Sequence, residues 1–338
     1  MRRIFLAISL SFCVGQALAL EIEDRAQFGP DDATENLSII STADISFISP
    51  LIESFIAQTP DVSIDYVVAS SSDLMRALEQ GVQAFDIAIS SAMDLQVKLA
   101  NDGGAQIHRS DATRALPEWA IWNDMVFAFT QEPAAIVVSR AAFGDLPIPQ
   151  NRQQLISTLR ENPDVFRGRI GTYDVRASGL GYLFATQDAR SSETYWRLTE
   201  VMGSLDVQLY CCSSDMIDDV VSGELAIAYN VLGSYAAGRS DQSAFTTILP
   251  SDFTTVMLRS ALIPRTSQNP DFSQQFIDHL LEQSFESGAL RVPDDALGTW
   301  AQDGADLRPI DLGPALLVYL DRFKNRSFVD EWESAILR

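Results

Sequence analysis

The N-terminal third of the chain repeats one local pattern three times, and this repetition is the strongest constraint on its fold. Each copy has a β-like apolar run, a turn of small hydroxyl residues and an amphipathic helical run. The turns contain Ser41 and Thr42 in the first copy, Ser70, Ser71 and Ser72 in the second, and Ser90 and Ser91 in the third. Alternating strands and helices predict α/β architecture, in which the turns that follow parallel strands meet at one edge of the sheet.

The hydroxyl groups in these turns have two interpretations. Each can cap the helix that follows it by accepting a backbone N–H bond. Alternatively, three such turns at the carboxyl edge of a sheet form a cradle for a polar ligand. Few acidic residues accompany them, so the pattern favours a binding site over a catalytic centre.

The length of the chain, 338 residues, exceeds what one hydrophobic core usually serves and predicts two domains. Two extended runs, at residues 125–140 and 245–264, are interpreted as paired crossover strands between two lobes. The first run is expected to break at Glu132 and Pro133, because proline cannot donate a ladder hydrogen bond. The predicted division is a first lobe of residues 35–132 and 262–338, and a second lobe of residues 133–261 that includes the hinge strands.

The first 19 residues have the pattern of a secretory signal peptide. Two arginines precede an apolar run at residues 4–14, and the small residues of "ALA" allow cleavage after Ala19. Lipidation at Cys13 is an alternative that the bulky Phe12 and the short apolar run disfavour. No later run reaches the roughly 18 to 20 apolar residues of a membrane span, so the sequence predicts an exported protein of the periplasm.

The charge of the chain argues against two classes of partner. It has 24 Lys and Arg against 46 Asp and Glu, for a net charge of −22. Nucleic acids and anionic membranes attract basic surfaces, so neither is expected to bind. The charge of the whole chain does not decide the sign of a ligand inside a cleft, where helix ends and single side chains act locally.

Residues 169–185, "RIGTYDVRASGLGYLFA", predict a strand, a polar turn and a helix. The N-terminus of that helix would carry free N–H groups and the positive end of a dipole, which suits an anion. Arg176 could clamp the anion with two parallel hydrogen bonds while Ser178 and the N–H groups near Gly179 hold its oxygens. The alternative is that Ser178 only caps its own helix and Arg176 is a solvated charge.

Two adjacent cysteines, Cys211 and Cys212, are the only ones left after signal cleavage. In an oxidising compartment they can form a vicinal disulfide beside the predicted site. Two free, buried thiols are the alternative. No histidine lies nearby in sequence to raise the thiolate fraction, so a catalytic role is not expected.

An exported hydrolase is the competing class of protein. The sequence contains no G-x-S-x-G, S-x-x-K or H-E-x-x-H motif. Its two histidines, His108 and His279, do not have metal-ligand spacing with each other or with the cysteines. We therefore expect no enzyme activity, no cofactor and no divalent metal site.

The order of these features resembles that of a known family. The segment "VVSGELAIAYNVLGSYAAG" resembles a second-lobe strand, and "ILPSDFTTVMLRSALIP" a return strand, of the periplasmic solute-binding proteins that include ferric-iron, thiamine and spermidine binders. The resemblance covers about residues 37–290. It implies an α/β, two-lobed periplasmic-binding-protein fold (Venus-flytrap, type II) with two crossover hinge strands. It also implies a monomer that delivers a small solute, here expected to be anionic, to the permease of an ABC importer.

By this resemblance the solute lies between the lobes, and hinge closure buries it. The first-lobe wall would be Ser41, Thr42, Ser71, Ser72, Ser90 and Ser91. The second-lobe wall would be Arg176, Ser178, Gly179, Ser213, Ser214, Tyr229 and Asn230.

Two alternatives keep the fold and change the role. Ferric-iron members have adjacent tyrosines where this sequence has only Tyr229, followed by Asn230, with Tyr235 further on, so Tyr229 would be the metal ligand only if iron were the solute. A ligand sensor that presents its solute to the periplasmic domain of a sensor kinase is the other alternative.

The C-terminal tail does not match the family pattern. Gly313 and Pro314 predict the start of a helix whose buried face is Leu316, Leu317, Leu320 and Phe323. Helices from Phe272 onward are expected to return to the first lobe, and the tail to pack there. An extra surface for a membrane partner is the alternative.

Overall fold

The computed structural model of the chain describes residues 20–81, 83–288 and 306–337. The predicted signal peptide, with Cys13 and the cleavage point after Ala19, lies outside these residues. None of the helices in the described ranges combines the length and apolar character that crossing a bilayer requires.

Within the described residues the chain forms twelve β-strands and thirteen α-helices. The strands are β1 (Asp24–Phe28), β2 (Glu35–Ser41), β3 (Val62–Val68), β4 (Ile87–Ser90), β5 (Ile121–Trp122), β6 (Val126–Ser139), β7 (Ile170–Tyr173), β8 (Gln208–Tyr210), β9 (Ile227–Leu232), β10 (Phe245–Ile248), β11 (Thr254–Leu262) and β12 (Leu307–Pro309). The helices are α1 (Ile45–Gln58), α2 (Ser71–Gln80), α3 (Met93–Asn101), α4 (Asp111–Arg114), α5 (Arg140–Phe143), α6 (Arg152–Glu161), α7 (Pro163–Phe166), α8 (Gly179–Ser191), α9 (Thr194–Ser204), α10 (Ser213–Ser222), α11 (Gly233–Ala237), α12 (Pro270–Ser287) and α13 (Arg322–Ile336).

The threefold N-terminal pattern forms the predicted parallel strands. β2 lies between β3 and β4 and is parallel to both. Because all three strands run in one direction, the turns after them meet at the same sheet edge, as the sequence predicts. Gly81 ends α2 in the left-handed conformation, with φ of 61°, which glycine adopts without a Cβ clash.

The strands follow the order β1-β3-β2-β4-β11-β6-β9-β7-β8. We call the half with β1–β5, β11, β12, α1–α4 and α12 the first lobe, and the half with β7–β10 and α5–α11 the second lobe. The core of the first lobe continues into the facing side of α8, and a separate second-lobe core surrounds α6 and α9. The fold is therefore α/β and two-lobed.

One long strand joins the two lobes. β6 pairs with β11 as far as Pro133, which lies opposite Val256, and from Ala134 it pairs with β9. The predicted break at Glu132 and Pro133 is wrong, because β6 continues through both residues. Proline is accommodated here because the strand changes neighbours at this point, so the missing donor falls where the ladder to β11 ends.

The C-terminal tail differs from its prediction. A short 3₁₀ helix (Pro314–Leu320) ends at Asp321, whose carboxylate accepts the N–H groups of Phe323 and Lys324 and starts α13. The new helix presents a different face, so Phe323 is 86% exposed while Trp332 is buried. α13 packs against α9 of the second lobe, so the expectation that the tail packs on the first lobe is wrong for this helix.

Candidate functional site

A cleft lies between the lobes at the carboxyl ends of the central strands. It contains about 420 Å³ of empty space, which includes its open mouth. Its lining residues are Glu23, Thr42, Asp44, Ala69, Ser70, Ser71, Ser91, Tyr173, Ser178, Leu180, Cys211, Cys212, Ser213, Ser214, Leu232 and Tyr235. Hydroxyl groups predominate among the polar groups of this wall, and no Arg or Lys of the described ranges lines it.

Six of the residues predicted to form the walls line this cleft. They are Thr42, Ser71, Ser91, Ser178, Ser213 and Ser214. Thr42 and Ser91 join neighbouring turns, because the Ser91 N–H donates to Thr42 Oγ1 at 3.0 Å. On the other wall, Ser213 Oγ bonds to the Tyr173 hydroxyl and accepts the Leu232 N–H at 2.9 Å. Hydrogen bonds within each wall therefore hold these hydroxyls in place.

Direct hydrogen bonds between the lobes hold the cleft closed. The Gly179 N–H donates to Ser71 Oγ at 2.8 Å, and Ser72 Oγ donates to the Ala177 carbonyl at 2.6 Å. Tyr235 Oη accepts the Asp44 N–H at 3.3 Å. Ser72 and Gly179 thus lie at the contact between the lobes rather than in the wall of the cleft.

Two predicted wall residues cap their own turns. Ser41 Oγ accepts the Ala43 N–H at 2.9 Å, and Ser90 Oγ accepts the Ala92 N–H at 3.1 Å. Both side chains are buried beneath the turns and do not line the cleft. Neither hydroxyl caps a helix, because the N-caps of α1 and α3 are Asp44 and Ala92, so both hydroxyls stabilise the turns that precede these helices.

Arg176 does not line the cleft. Its Nε and Nη2 donate to Asp174 at 2.8 and 2.6 Å, and its Nη1 donates to Glu333 of α13 at 3.1 Å. The side chain is 39% exposed and lies on the outer surface. The predicted clamp is not assembled here, because nearby carboxylates already engage the guanidinium.

Tyr229 and Asn230 also lie away from the cleft, inside the second lobe. Asp188 Oδ2 accepts the Tyr229 hydroxyl at 2.8 Å and the Asn230 Nδ2 at 2.9 Å. Arg152 completes this buried network by donating Nε to Tyr229 Oη at 2.8 Å. Burial raises the pKa of Tyr229 well above its usual value, so its phenol stays neutral. The network positions β9 and offers no group to the cleft.

Five α-helices of at least nine residues begin at the cleft. The lining residues Asp44, Ser70, Ser178 and Cys212 are the N-caps of α1, α2, α8 and α10, and Ser91 immediately precedes the N-cap of α3. Each helix N-terminus carries about half a positive charge and unpaired N–H groups. The positive ends of five helix dipoles therefore converge on a cleft in whose wall no lysine or arginine is found among the described residues.

Two carboxyl groups in the wall were not predicted. Glu23 precedes β1, which pairs with the outer edge of β3, and Asp44 caps α1. Burial raises the pKa of both carboxyls; neighbouring acids, first Asp215, also raise that of Glu23, whereas Arg259 partly offsets the rise for Asp44. Asp44 could have been found as a helix cap after the first turn, but no sequence signal places Glu23 here.

Two tyrosines in the wall, Tyr173 and Tyr235, were also missed as ligand contacts. Burial raises the pKa of both phenols above their usual value, so both are neutral near pH 7. Both residues lie in segments that the sequence singled out: Tyr173 is the last residue of β7, and Tyr235 lies in α11, after β9. Their side-chain direction depends on helix and strand packing that the local pattern does not encode.

Cys211 and Cys212 form a vicinal disulfide at the rim of the cleft. Cys211 is exposed and Cys212 is half-buried, so the alternative of two buried thiols does not describe this site. Among the described residues, the one group of three metal-ligand side chains is Glu23 with these two cysteines. Disulfide sulfurs lack the thiolate that binds a metal ion.

The chain has relatives of known structure. The sequence profile for bacterial extracellular solute-binding proteins matches residues 39–284. The substrate binding protein of an ABC transporter from Agrobacterium tumefaciens is 31% identical, with a TM-score of 0.86 over 93% of this chain and 98% of that chain. The periplasmic binding protein AfuA from Actinobacillus pleuropneumoniae, with fructose-6-phosphate bound, is 15% identical, with a TM-score of 0.69 over 90% and 99%.

The iron-bound protein HitA from Pseudomonas aeruginosa has the same fold. It is 14% identical, with a TM-score of 0.62 over 89% of this chain and 99% of that chain. No curated protein matches the chain. At 14–15% identity, the likeness to AfuA and HitA shows the fold and not the solute.

Proposed function

Because the chain belongs to the family of bacterial extracellular solute-binding proteins, we propose that it captures a small anionic solute in the cleft between its lobes and delivers it to an ABC permease. In this proposal it acts in the periplasm as a monomer, after removal of the signal peptide at Ala19. The proteins of this family bind solutes for transport and do not transform them.

The observation that carries the proposal is the convergence of five helix N-termini on a hydroxyl-lined cleft. Helix N-termini stabilise an anion by roughly 0.3–1 kcal/mol each at exposed sites, and more where water is excluded. The hydroxyls of Thr42, Ser178 and Ser214 can donate to the oxygens of the same group. Within the wall of the cleft, the helix N-termini and not Arg176 therefore supply the positive charge.

The two carboxyl groups of the wall place a further limit on the chemistry of the solute. Glu23 and Asp44 are acceptors when ionised, so they suit hydroxyl groups of the solute and repel a second negative charge beside them. A compound with one anionic end and a hydroxylated body can bind both to the helix N-termini and to these two carboxyl groups. The AfuA structure, which holds fructose-6-phosphate, supports this choice because a protein of the same fold accommodates such a compound.

Ferric iron is the second candidate, because two tyrosines and two carboxyls line the cleft. Its ligands would be Tyr173 and Tyr235 with Glu23 or Asp44, in place of the predicted Tyr229. The phenol oxygens of both tyrosines already bond within the protein, Tyr173 to Ser213 and Tyr235 to the Asp44 N–H, which counts against it. We therefore favour the organic anion.

The test is to purify the chain from periplasm without added ligand, record its visible spectrum, and compare its native and denatured masses. An organic anion released on denaturation supports the proposal and names the solute. A tyrosinate-to-iron absorption band with one iron per chain supports the second candidate, and a cationic solute contradicts the first.

Delivery is tested separately from capture. Deletion of the gene should abolish uptake of the released solute into cells. Normal uptake together with loss of a transcriptional response to the solute would indicate the sensor role instead.

A further inference from the structure

One fully buried arginine lies behind the cleft and has a free donor. Arg259, on β11, is 0% exposed. Its Nε and Nη2 donate to Glu132 of β6 at 2.8 and 3.2 Å, but Nη1 has no hydrogen-bond partner. A buried charged donor without a partner is costly, and an oxygen of a ligand would supply the missing acceptor.

The position of Arg259 connects it to the cleft. Its guanidinium carbon lies 5.9 Å from the ring centre of Tyr235, which lines the cleft, and 4.7 Å from that of Phe47. The two rings stack at 6.3 Å, and they come from opposite lobes. Tyr235 also covers the start of α1 by accepting the Asp44 N–H. In this closed form an aromatic pair separates Arg259 from the cleft.

The carboxylate of Glu132 leaves Nη1 as the guanidinium nitrogen that does not take part in the ion pair. A carboxylate that engages Nε and Nη2 occupies one side of the guanidinium, so Nη1 points away from it. Thr130 Oγ1 at 2.8 Å and Ser234 Oγ also donate to Glu132, which fixes the acid on that side. Tyr235 belongs to α11 of the second lobe and Arg259 to β11 of the first, so a displacement of Tyr235 does not require Arg259 to move.

We propose that Arg259 is the cationic anchor of the solute: when Tyr235 moves aside, Nη1 and the Asp44 N–H bind its anionic group, and the lobes close around the bound solute. This inference rests on the proposed function and deepens it by naming the residue that recognises the charge. The class of ligand is a phosphate monoester or a carboxylate, because either presents the oxygens that a guanidinium binds.

The test compares variants that separate charge recognition from folding. Arg259→Met alone would leave Glu132 buried and unpaired, so the informative variant is Arg259→Met with Glu132→Gln, which removes both charges of the pair. Its control is the wild-type chain, in which the pair is intact, because Glu132→Gln alone would leave Arg259 buried and unpaired. Calorimetric titrations use fructose-6-phosphate, inorganic phosphate and citrate as probes, and thermal unfolding reports folding.

We expect the double variant to bind the preferred probe about 10- to 100-fold more weakly than wild type does, while the two proteins unfold at similar temperatures. Arg259→Lys should recover part of the affinity, because it keeps the charge without the planar fork. Equal affinity in the double variant and its control would overturn the role of Arg259 and leave the proposed function intact. A wild-type chain that binds none of the three probes would overturn the anionic solute and the anchor together.

Discussion

The backbone N–H of Gly179 donates to Ser71 Oγ across the two lobes at 2.8 Å, and no side chain separates the two residues. A Cβ on Gly179 would lie 2.8 Å from the same Oγ and 2.8 Å from Leu95 Cδ1. Such contacts are too close for a methyl group, so the closed form depends on glycine at this position. The first turn of α8 thus approaches α2 and α3 as closely as backbone allows.

Replacing Gly179 with alanine should therefore weaken closure and leave the lobes folded. Alanine favours the first turn of α8, so we expect an unchanged unfolding temperature and about tenfold weaker solute binding, or about 1.4 kcal/mol. Titration with the solute released on denaturation measures the affinity. The radius of gyration from X-ray scattering measures the closure of the lobes. The control is Gly238→Ala, whose added Cβ would lie at an ordinary 3.4 Å from its nearest neighbour. A Gly179→Ala protein that binds the solute with wild-type affinity would show that closure does not depend on glycine at this position.

Arg176→Ala should leave solute affinity unchanged. The side chain pairs with Asp174 and Glu333 on the outer surface, where ion pairs contribute about 0–1 kcal/mol. We expect titrations to agree with wild type within a factor of two, and the unfolding midpoint in urea to fall slightly. A large loss of affinity would instead support the contact between Arg176 and the solute that the sequence predicts.

Asp94 should make stability depend on pH. It is 2% exposed, its Oδ1 has no hydrogen-bond partner, and burial raises the pKa of its carboxyl to about 7. The folded form therefore keeps a proton that the unfolded form releases near pH 4, so stability falls as the pH rises from about 4 to about 7. Between pH 5 and 8 we expect wild type to lose about 3 kcal/mol relative to Asp94→Asn.

Urea unfolding at pH 5, 6, 7 and 8 measures this difference. The exposed Glu53→Gln in α1 is the matched control and should follow the wild-type profile. Parallel profiles for wild type and Asp94→Asn would show that the carboxyl is not held protonated.

The C-terminal helix offers a pair of aromatic residues with opposite burial. Trp332 is 2% exposed against the second lobe, whereas Phe323 is 86% exposed on the same helix. Trp332→Ala should cost about 3–5 kcal/mol of unfolding free energy, and Phe323→Ala less than about 0.5 kcal/mol. Urea midpoints measure both. Similar losses for the two variants would contradict the packing of α13 on α9.

The general plan of the fold was predictable because its signals are local. Apolar periodicity predicts strands and helices from neighbouring residues, and β3 begins and ends where the pattern places it, at Val62–Val68. The parallel arrangement then brings the turns together, so Thr42, Ser71 and Ser91 reach the cleft. The order of these units also carried the resemblance to solute-binding proteins, which the family match confirms.

The amino-acid sequence alone thus determined the order of strands, turns and helices, and the edge of the sheet at which the polar turns meet. Only the tertiary structure decided which polar group faces which partner. Arg176 meets Glu333 from 157 residues away, and Arg259 meets Glu132 from 127 residues away. Ion pairs and buried networks depend on which distant segments pack together, and local periodicity does not encode that packing. For the same reason Tyr229 lies inside a lobe, while Glu23 lies in the cleft.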